Sequence, residues 1–269
     1  MDDLARKDWR LVREESRSGA MNMALDEIAA ETAANGGPRT VRVYRWEPST
    51  LSLGYRQDPD TVDWAFCDRE GIAVTRRQTG GGGIYHDSFG DVSYSIVAPA
   101  DELPGKLMDC YHLLLAPILD AFGRMGVDAG LADDPLPAIH PPACYLRELH
   151  PAHDVTADGR KISGNAQYRR RDAVIQHGSL TFSVRAARHL GTFADPDTTP
   201  EAFEARVTGI DEQAAVSRTD AVAAVEGALR DWADADVGSW TDDELADARE
   251  RAETKYESDE WVRRRPADR

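Results

Sequence analysis

The spacing of apolar side chains divides the chain into helical and extended stretches. Over residues 20–34 (AMNMALDEIAAETAA), Met21, Leu25, Ile28 and Ala29 recur at helical intervals and make one apolar face. Gly36-Gly37-Pro38 then supplies a helix stop. Apolar and polar residues alternate over residues 40–46 (TVRVYRW) and 50–55 (TLSLGY), the period of a strand. A short helix is expected around Phe66-Cys67. A further strand, residues 72–77, leads into a run of glycines, and another, residues 91–98, leaves it. Residues 107–125 give the clearest helix, with Leu107, Cys110, Tyr111, Leu114, Ile118, Phe122 and Met125 on one side. Pro117 within it predicts a kink or a break. Residues 132–142, rich in Pro and Asp, read as loop. Residues 155–156, 162–169 and 173–184 read as strands, the second around an irregularity at Gly164-Asn165. Two helices are expected near residues 220–233 and 242–256, the latter opened by the capping pattern Thr241-Asp242-Asp243-Glu244.

Strands therefore gather between residues 40 and 184, and helices follow residue 200. That order predicts an α+β fold, with a catalytic domain over residues 1–200 and a small helical part over 201–269. No internal repeat is visible. A length of 269 residues suits one large domain or one with a small appendage.

Composition narrows the class. Apolar residues make up 41% of the chain, enough to build a core. No apolar run approaches a membrane span, and MDDLARKDWR carries no apolar secretory segment, so the expected location is the cytoplasm, with no membrane partner. A formal charge of −16 argues against a nucleic-acid partner, since phosphates would be repelled. The four lysines stand against 28 arginines, with carboxylates spread along the whole chain. That balance reads as adaptation to a salt-rich cytoplasm. Cys67, Cys110 and Cys144, an odd set without a CxxC, predict neither a disulfide framework nor a metal site.

Candidate chemistry centres on Arg76-Arg77-Gln78-Thr79-Gly80-Gly81-Gly82-Gly83-Ile84-Tyr85-His86-Asp87. Contiguous glycines allow positive φ and close approach of a ligand to main-chain N–H groups, which can form an anion-binding nest. Arg77 beside them offers a charge-assisted contact. No GK[ST] follows, and a strand instead of a helix comes next, so neither a Walker loop nor a dinucleotide fingerprint is present. The same run is also compatible with a flexible turn. Lys161, in Lys161-Ile162-Ser163-Gly164-Asn165-Ala166, has the charge to stabilise a reacting carbonyl; a solvated strand lysine is the plainer alternative. His177, in His177-Gly178-Ser179, lies inside an apolar strand and is open to either a site role or a core role.

Taken in order, these motifs resemble the lipoate-protein ligase and octanoyltransferase family, which is similar to the biotin protein ligases. The resemblance begins near Asn22-Met23-Ala24-Leu25-Asp26-Glu27, passes through Leu53-Gly54-Tyr55, and ends with Lys255-Tyr256-Glu257-Ser258-Asp259-Glu260-Trp261. It implies the biotinyl/lipoyl ligase (class II synthetase-like) fold, a mostly antiparallel sheet flanked by helices. It also implies that Arg76, Arg77, Gly80, Gly81, Gly82, Gly83, Ile84, Tyr85, His86, Asp87, Ser163, Gly164, Asn165, Ala166, His177 and Gly178 bind nucleotide or lipoate, with Lys161 on the acyl carbonyl and phosphate. Gly83 departs from the alanine of many ligases, which should loosen the loop. Implied partners are lipoyl-domain acceptors, either a glycine-cleavage H protein or a 2-oxoacid dehydrogenase E2.

The family has two chemistries. Ligases use ATP and Mg2+ to make lipoyl-adenylate; one octanoyltransferase branch uses a cysteine and an acyl carrier-protein donor. Cys144, 17 positions before Lys161, resembles the nucleophile of that branch, and Lys161 near it would favour the thiolate. An inert loop cysteine is the alternative. Because the composition suits a salt-adapted archaeon, the resemblance favours the ATP-dependent ligase, with the cysteine acyltransferase as the second reading and a non-catalytic lipoate-binding module as a distant third.

Overall fold

The computed structural model describes Leu4 and residues 7–132, 135–150 and 153–264. The strands are β1 (Trp9–Arg17), β2 (Arg39–Trp46), β3 (Thr50–Leu53), β4 (Ala73–Arg76), β5 (Ile84–His86), β6 (Asp91–Pro99), β7 (Ala129–Leu131), β8 (Asp154–Ala157), β9 (Arg160–Arg169), β10 (Ala173–Thr181) and β11 (Asp236–Gly238). The helices are α1 (Gly19–Ala34), α2 (Trp64–Arg69), α3 (Leu107–Arg124), α4 (Ala186–Gly191), α5 (Pro200–Glu204), α6 (Ile210–Gln213), α7 (Arg218–Ala233), α8 (Asp242–Arg251) and α9 (Asp259–Val262). Eight strands form one sheet in the order β11-β1-β2-β6-β10-β9-β8-β7, and β4-β3-β5 form a second. In the large sheet only the β1 pairings with β2 and β11 are parallel; from β2 to β7 every pairing is antiparallel.

Central strands are buried on both sides, and alternation sorts their residues between two layers. Along β6, Val92, Tyr94, Ile96 and Ala98 join Leu114 and Phe122 of α3 and Val225 and Leu229 of α7 in one apolar core. Val97 faces the opposite way, with Leu25 and Ile28 of α1 and Tyr44 and Trp46 of β2. Residues past 201 share these cores: Val225 and Leu229 lie in the first, Trp240, Ala248 and Tyr256 in the second.

Several elements differ from expectation. The first strand, β1, went unseen because Arg10 interrupts its apolar pattern. That guanidinium is buried and pairs with Glu244 at 2.5 Å, so tertiary structure neutralises a charge that locally argues against a strand. Pro117 does not break α3, which runs on to Arg124 because its apolar side continues past the proline. The expected single apolar face of α1 is too narrow. Asn22, Asp26 and Glu27 are buried as well, since the helix is wrapped by β2, β6, β10 and α8. The strand at Gly164-Asn165 is regular, and the irregularity falls instead at Ile162. The capping box at Thr241 forms as expected. No helix among the described residues is long and apolar enough to cross a membrane.

Candidate functional site

A cavity of about 370 Å³ lies on the α1 side of the large sheet, walled by Ser52, Ile84 and His86 of the small sheet and reaching Lys161 and Cys144. Lys161 arrives there through a β-bulge. Val155 pairs with Ser163 while Thr156 pairs with Lys161, so Ile162 is an extra residue on β9. A one-residue insertion flips side-chain direction. It places Lys161 on the same side as Gly164 and Asp154, where a regular strand would turn it away. The ammonium lies 2.7 Å from Asp154 Oδ1 and donates to the Cys144 carbonyl at 3.3 Å. Both side chains of the ion pair are 3% exposed. Burial works against the Lys161 charge, but Cys144 and Asp154 outweigh it and raise its pKa above the ordinary lysine value. Burial likewise opposes the Asp154 charge, and Lys161 overrides it to hold the carboxyl well below the usual range. Gly164 leaves the space between lysine and cysteine open. A Cβ there would sit 3.6 Å from Lys161 Nζ and 3.8 Å from Cys144 Sγ.

The glycine run brings the cysteine to this spot. Gly83 N donates to the Pro142 carbonyl at 2.7 Å, and Cys144 N donates to the Gly83 carbonyl at 2.8 Å. A Cβ on Gly82 would stand 2.5 Å from the Pro142 oxygen and 2.8 Å from Cys144 N. Only glycine permits that approach. Gly83 does not loosen the loop as expected: both its main-chain groups are bonded, and a Cβ would meet Phe193 at 3.0 Å. Gly80 and Gly81 face both the cavity and an adjoining groove that runs past Tyr55, Arg56 and Pro141.

The two arginines before the run have different tasks. Arg77 lines the cavity, and its guanidinium donates to the carbonyls of Ser52, Gly80 and Gly82 and to Thr79 Oγ1, bracing the loop from inside. Burial lowers its pKa. Arg76, fully buried, does not join it as a ligand-binding residue. It donates to the carbonyls of Gly54 and Gln57 at one end and of Trp261 and Val262 at the other, tying the C-terminal segment to the loop that follows β3. Successive residues of a strand face opposite ways, which is why adjacent arginines part.

The same alternation separates His86 from Asp87. His86 lines the cavity, stacks on Trp46 at 4.0 Å between centroids, and bonds Ser52 Oγ through Nε2 at 2.9 Å. Its carboxylate partner is Asp91, at 3.1 Å from Nδ1. Burial outweighs that carboxylate and lowers the His86 pKa. Asp87 instead accepts from Tyr85 OH and caps the turn at Phe89 and Gly90, on the other side of the small sheet. Tyr85 goes with it. His177 lines the cavity and bridges Thr79 Oγ1, at 2.8 Å, to Asp26 of α1, at 3.3 Å, so it fastens the glycine loop to the helix. Asn165 and Ala166 also reach the wall. The Asn165 amide is held by Tyr94 OH and the His153 carbonyl, and Gly178 opposite is required because a Cβ would lie 2.2 Å from Asn165 Oδ1. Ser163 is fully buried on the opposite side of β9.

Asp154, Asp91 and Asp26 are the site-forming residues that local reading missed. Each is a carboxylate inside or beside an apolar stretch, Asp26 together with Glu27, and that mismatch is the signal that would have found them. Of the other cysteines, Cys67 is buried with its thiol pushed up to about 12, and Cys110 is buried with its thiol also raised, so neither supplies a thiolate. Cys144 alone among the cysteines borders the cavity. The arrangement is a thiol and a paired ammonium in the wall of one cavity.

The chain was also compared with known proteins. Residues 18–230 match the family described as lipoyl protein ligase A/B catalytic domain. The chain is 32% identical to the octanoyltransferase LipM of Exiguobacterium sp. over 96% of its own length and 98% of that protein's. Among solved structures, it is similar to a bipartite lipoate protein ligase from Thermoplasma acidophilum, with a TM-score of 0.81 and 22% identity over 98% of this chain and 99% of the other. It is also similar to lipoate-protein ligase A bound with ATP, with a TM-score of 0.76 and 25% identity over 94% of this chain and 98% of the other.

Proposed function

The chain belongs to the lipoyl protein ligase A/B catalytic domain family, and from that premise we propose that it is a cysteine-dependent acyltransferase that moves an octanoyl or lipoyl group onto a lysine of a lipoyl domain. This reverses the order in which the sequence ranked the two chemistries. The observation that carries it is the placement of Cys144 beside Lys161 in the cavity, with the ammonium bonded to the Cys144 carbonyl and paired with Asp154. The full-length likeness to an octanoyltransferase supports it.

In this reading the Cys144 thiolate attacks the carbonyl carbon of an acyl thioester. The oxyanion that forms is stabilised by the Lys161 ammonium. Collapse expels the donor thiolate, which takes up the proton lost by Cys144, and leaves an acyl thioester on Sγ. The acceptor lysine amine then attacks that carbonyl. The C–S bond breaks, an amide forms, and the amine's surplus proton leaves with the thiolate or to solvent. Lys161 acts through charge, since Asp154 keeps it from serving as a base.

The ATP-dependent ligase is the second reading, favoured by the likeness to the ATP-bound ligase. It would put the nucleotide phosphate on Arg77, whose guanidinium is already engaged by Ser52, Thr79, Gly80 and Gly82. The test is acyl transfer to a lipoyl domain with and without ATP. Wild type is expected to form an octanoyl adduct on Cys144, seen by mass spectrometry, and to transfer it without ATP; Cys144→Ser is expected to lose both. Lipoyl-AMP formation that survives Cys144→Ser would overturn the acyltransferase in favour of the ligase.

A further inference from the structure

Transfer to a lysine raises a proton problem that Cys144 and Lys161 do not solve. The acceptor amine arrives as an ammonium, since a free lysine titrates near about 10.4, and only the neutral amine attacks a carbonyl. Lys161 is held as an ammonium by its 2.7 Å ion pair with Asp154, so the proton must go elsewhere. His86 and His177 border the cavity, but each has both ring nitrogens engaged, His86 by Ser52 and Asp91, His177 by Thr79 and Asp26. Burial pushes the Tyr111 phenol up to about 12, so it keeps its proton.

His153 is placed differently. It stands just before β8 and lines the cavity with its side chain 33% exposed. Its buried Nδ1 faces Asp154 Oδ1 at 3.5 Å, the same oxygen that pairs with Lys161. With the Nδ1 proton directed at that carboxylate, Nε2 becomes the proton acceptor, as when a carboxylate orients a catalytic imidazole. Tyr111 of α3 flanks the ring at 5.5 Å between centroids, and His150 stacks on it at 4.8 Å. The His153 carbonyl accepts from Asn165 Nδ2 at 2.8 Å, and Asp154 Oδ2 accepts from His150 N at 2.8 Å, which fixes this turn against β9. Exposure rises along the wall from Lys161 and Asp154, both buried, through His153 to Arg147, Glu148 and His150, all exposed. An acceptor lysine coming from solvent therefore passes His153 before it reaches Cys144.

We propose that His153 takes the proton from the acceptor lysine. Nε2 accepts one proton from the ammonium, and the neutral amine attacks the carbonyl carbon of the Cys144 thioester. The C–S bond breaks, the second proton leaves with the Cys144 thiolate as a thiol, and the imidazolium returns its proton to solvent. The titratable and charged groups around the ring are Asp154, Lys161, Tyr111 and His150, with Arg147 and Glu148 on the same wall. Glu148 is the poorer acceptor, since a carboxylate is ordinarily about two pKa units less basic than an imidazole. The proposal rests on the acyl-transfer reading above and adds the base of its second half.

The experiment loads Cys144 from an octanoyl thioester and follows single-turnover transfer to two acceptors. One is a lipoyl domain, whose lysine needs a base; the other is hydroxylamine, which is uncharged near neutrality and needs none. His153→Gln should slow transfer to the lysine about 100-fold or more and transfer to hydroxylamine far less. Wild-type transfer to lysine should level off once the imidazole is neutral. In His153→Gln it should keep rising about tenfold per pH unit toward the lysine's own titration. Added imidazole should restore much of the lost rate to His153→Gly. If His153→Gly fails to fold by circular dichroism, His153→Gln and its pH profile decide. A wild-type pH profile in a folded variant, or an equal loss toward both acceptors, overturns His153 as the proton acceptor. Failure of wild type to form any octanoyl adduct on Cys144 removes the acyl-transfer reading, and this step with it.

Discussion

The two sides of the large sheet are made by the same strands yet are built on opposite rules. Toward α3 and α7, β6 presents Val92, Tyr94, Ile96 and Ala98 to an apolar core. Toward α1 and the small sheet, it presents Asp91, Ser93 and Ser95, all buried. On the first side, shape and apolar area hold the layers together. On the second, Asp91 gathers His86, Ser93 and Ser179, Asp26 gathers Arg42 and His177, and Asp154 gathers Lys161. Buried polar groups of this kind are tolerated only when partnered. The comparison shows a division of labour within single strands: one set of alternate residues stabilises, while the other positions a cavity and its reactive end.

The division can be tested from its strongest consequence downward. Lys161→Ala should strike both function and fold on the cavity side. Acylation of Cys144 should fall about 100- to 1000-fold, the size of losing one charge-stabilising group. The unpaired Asp154 carboxylate should cost about 3–5 kcal/mol in denaturant titration. Lys161→Ala protein with wild-type acylation would end the proposed role. Phe122→Ala, on the other side, should lower stability by about 3–5 kcal/mol and leave the acylation rate per folded molecule unchanged. A comparable loss of rate in that variant would mean the two sides are coupled. Gly178→Ala tests the seam between them, because a Cβ there would press on Asn165 and Tyr94 at 2.2 and 2.5 Å. A stability loss of about 1–3 kcal/mol is expected by chemical denaturation.

The smallest effect at neutral pH belongs to His189. Burial pushes its pKa down to about 3 from 6.5, and its Nε2 has no hydrogen-bond partner. The unfolded chain therefore takes up the proton first. Stability should fall as pH drops from 6.5 toward 3, with no further loss from this group below that. His189→Phe should flatten that slope in thermal melts across the window. An unaltered slope would show that other groups set the acid limit.

Much of the fold was legible because period and composition are local properties. The strand from Thr40 to Trp46, the long helix through Phe122 and the Thr241 capping box all follow from residues close in sequence. Strand β1 was not legible, because Arg10 is compatible with a buried strand only once Glu244, 234 positions away, neutralises it. The candidate site divides in the same way. Glycine's freedom, the charge of a lysine and the nucleophilicity of a thiol are properties of residue types, so the glycine run, Lys161 and Cys144 stood out from the sequence alone.

Which of these residues meet was decided elsewhere. His86 pairs with Asp91 and not with its neighbour Asp87, since adjacent residues of a strand diverge. Arg76 turns to the C-terminal segment while Arg77 braces the loop. Lys161 reaches Asp154 and Cys144 because one extra residue on β9 shifts the register. The sequence by itself determined the chemical repertoire and most of the elements. Only the tertiary structure decided the partners, because pairing depends on cross-strand register and on bulges, and neither leaves a mark in the local pattern of side chains.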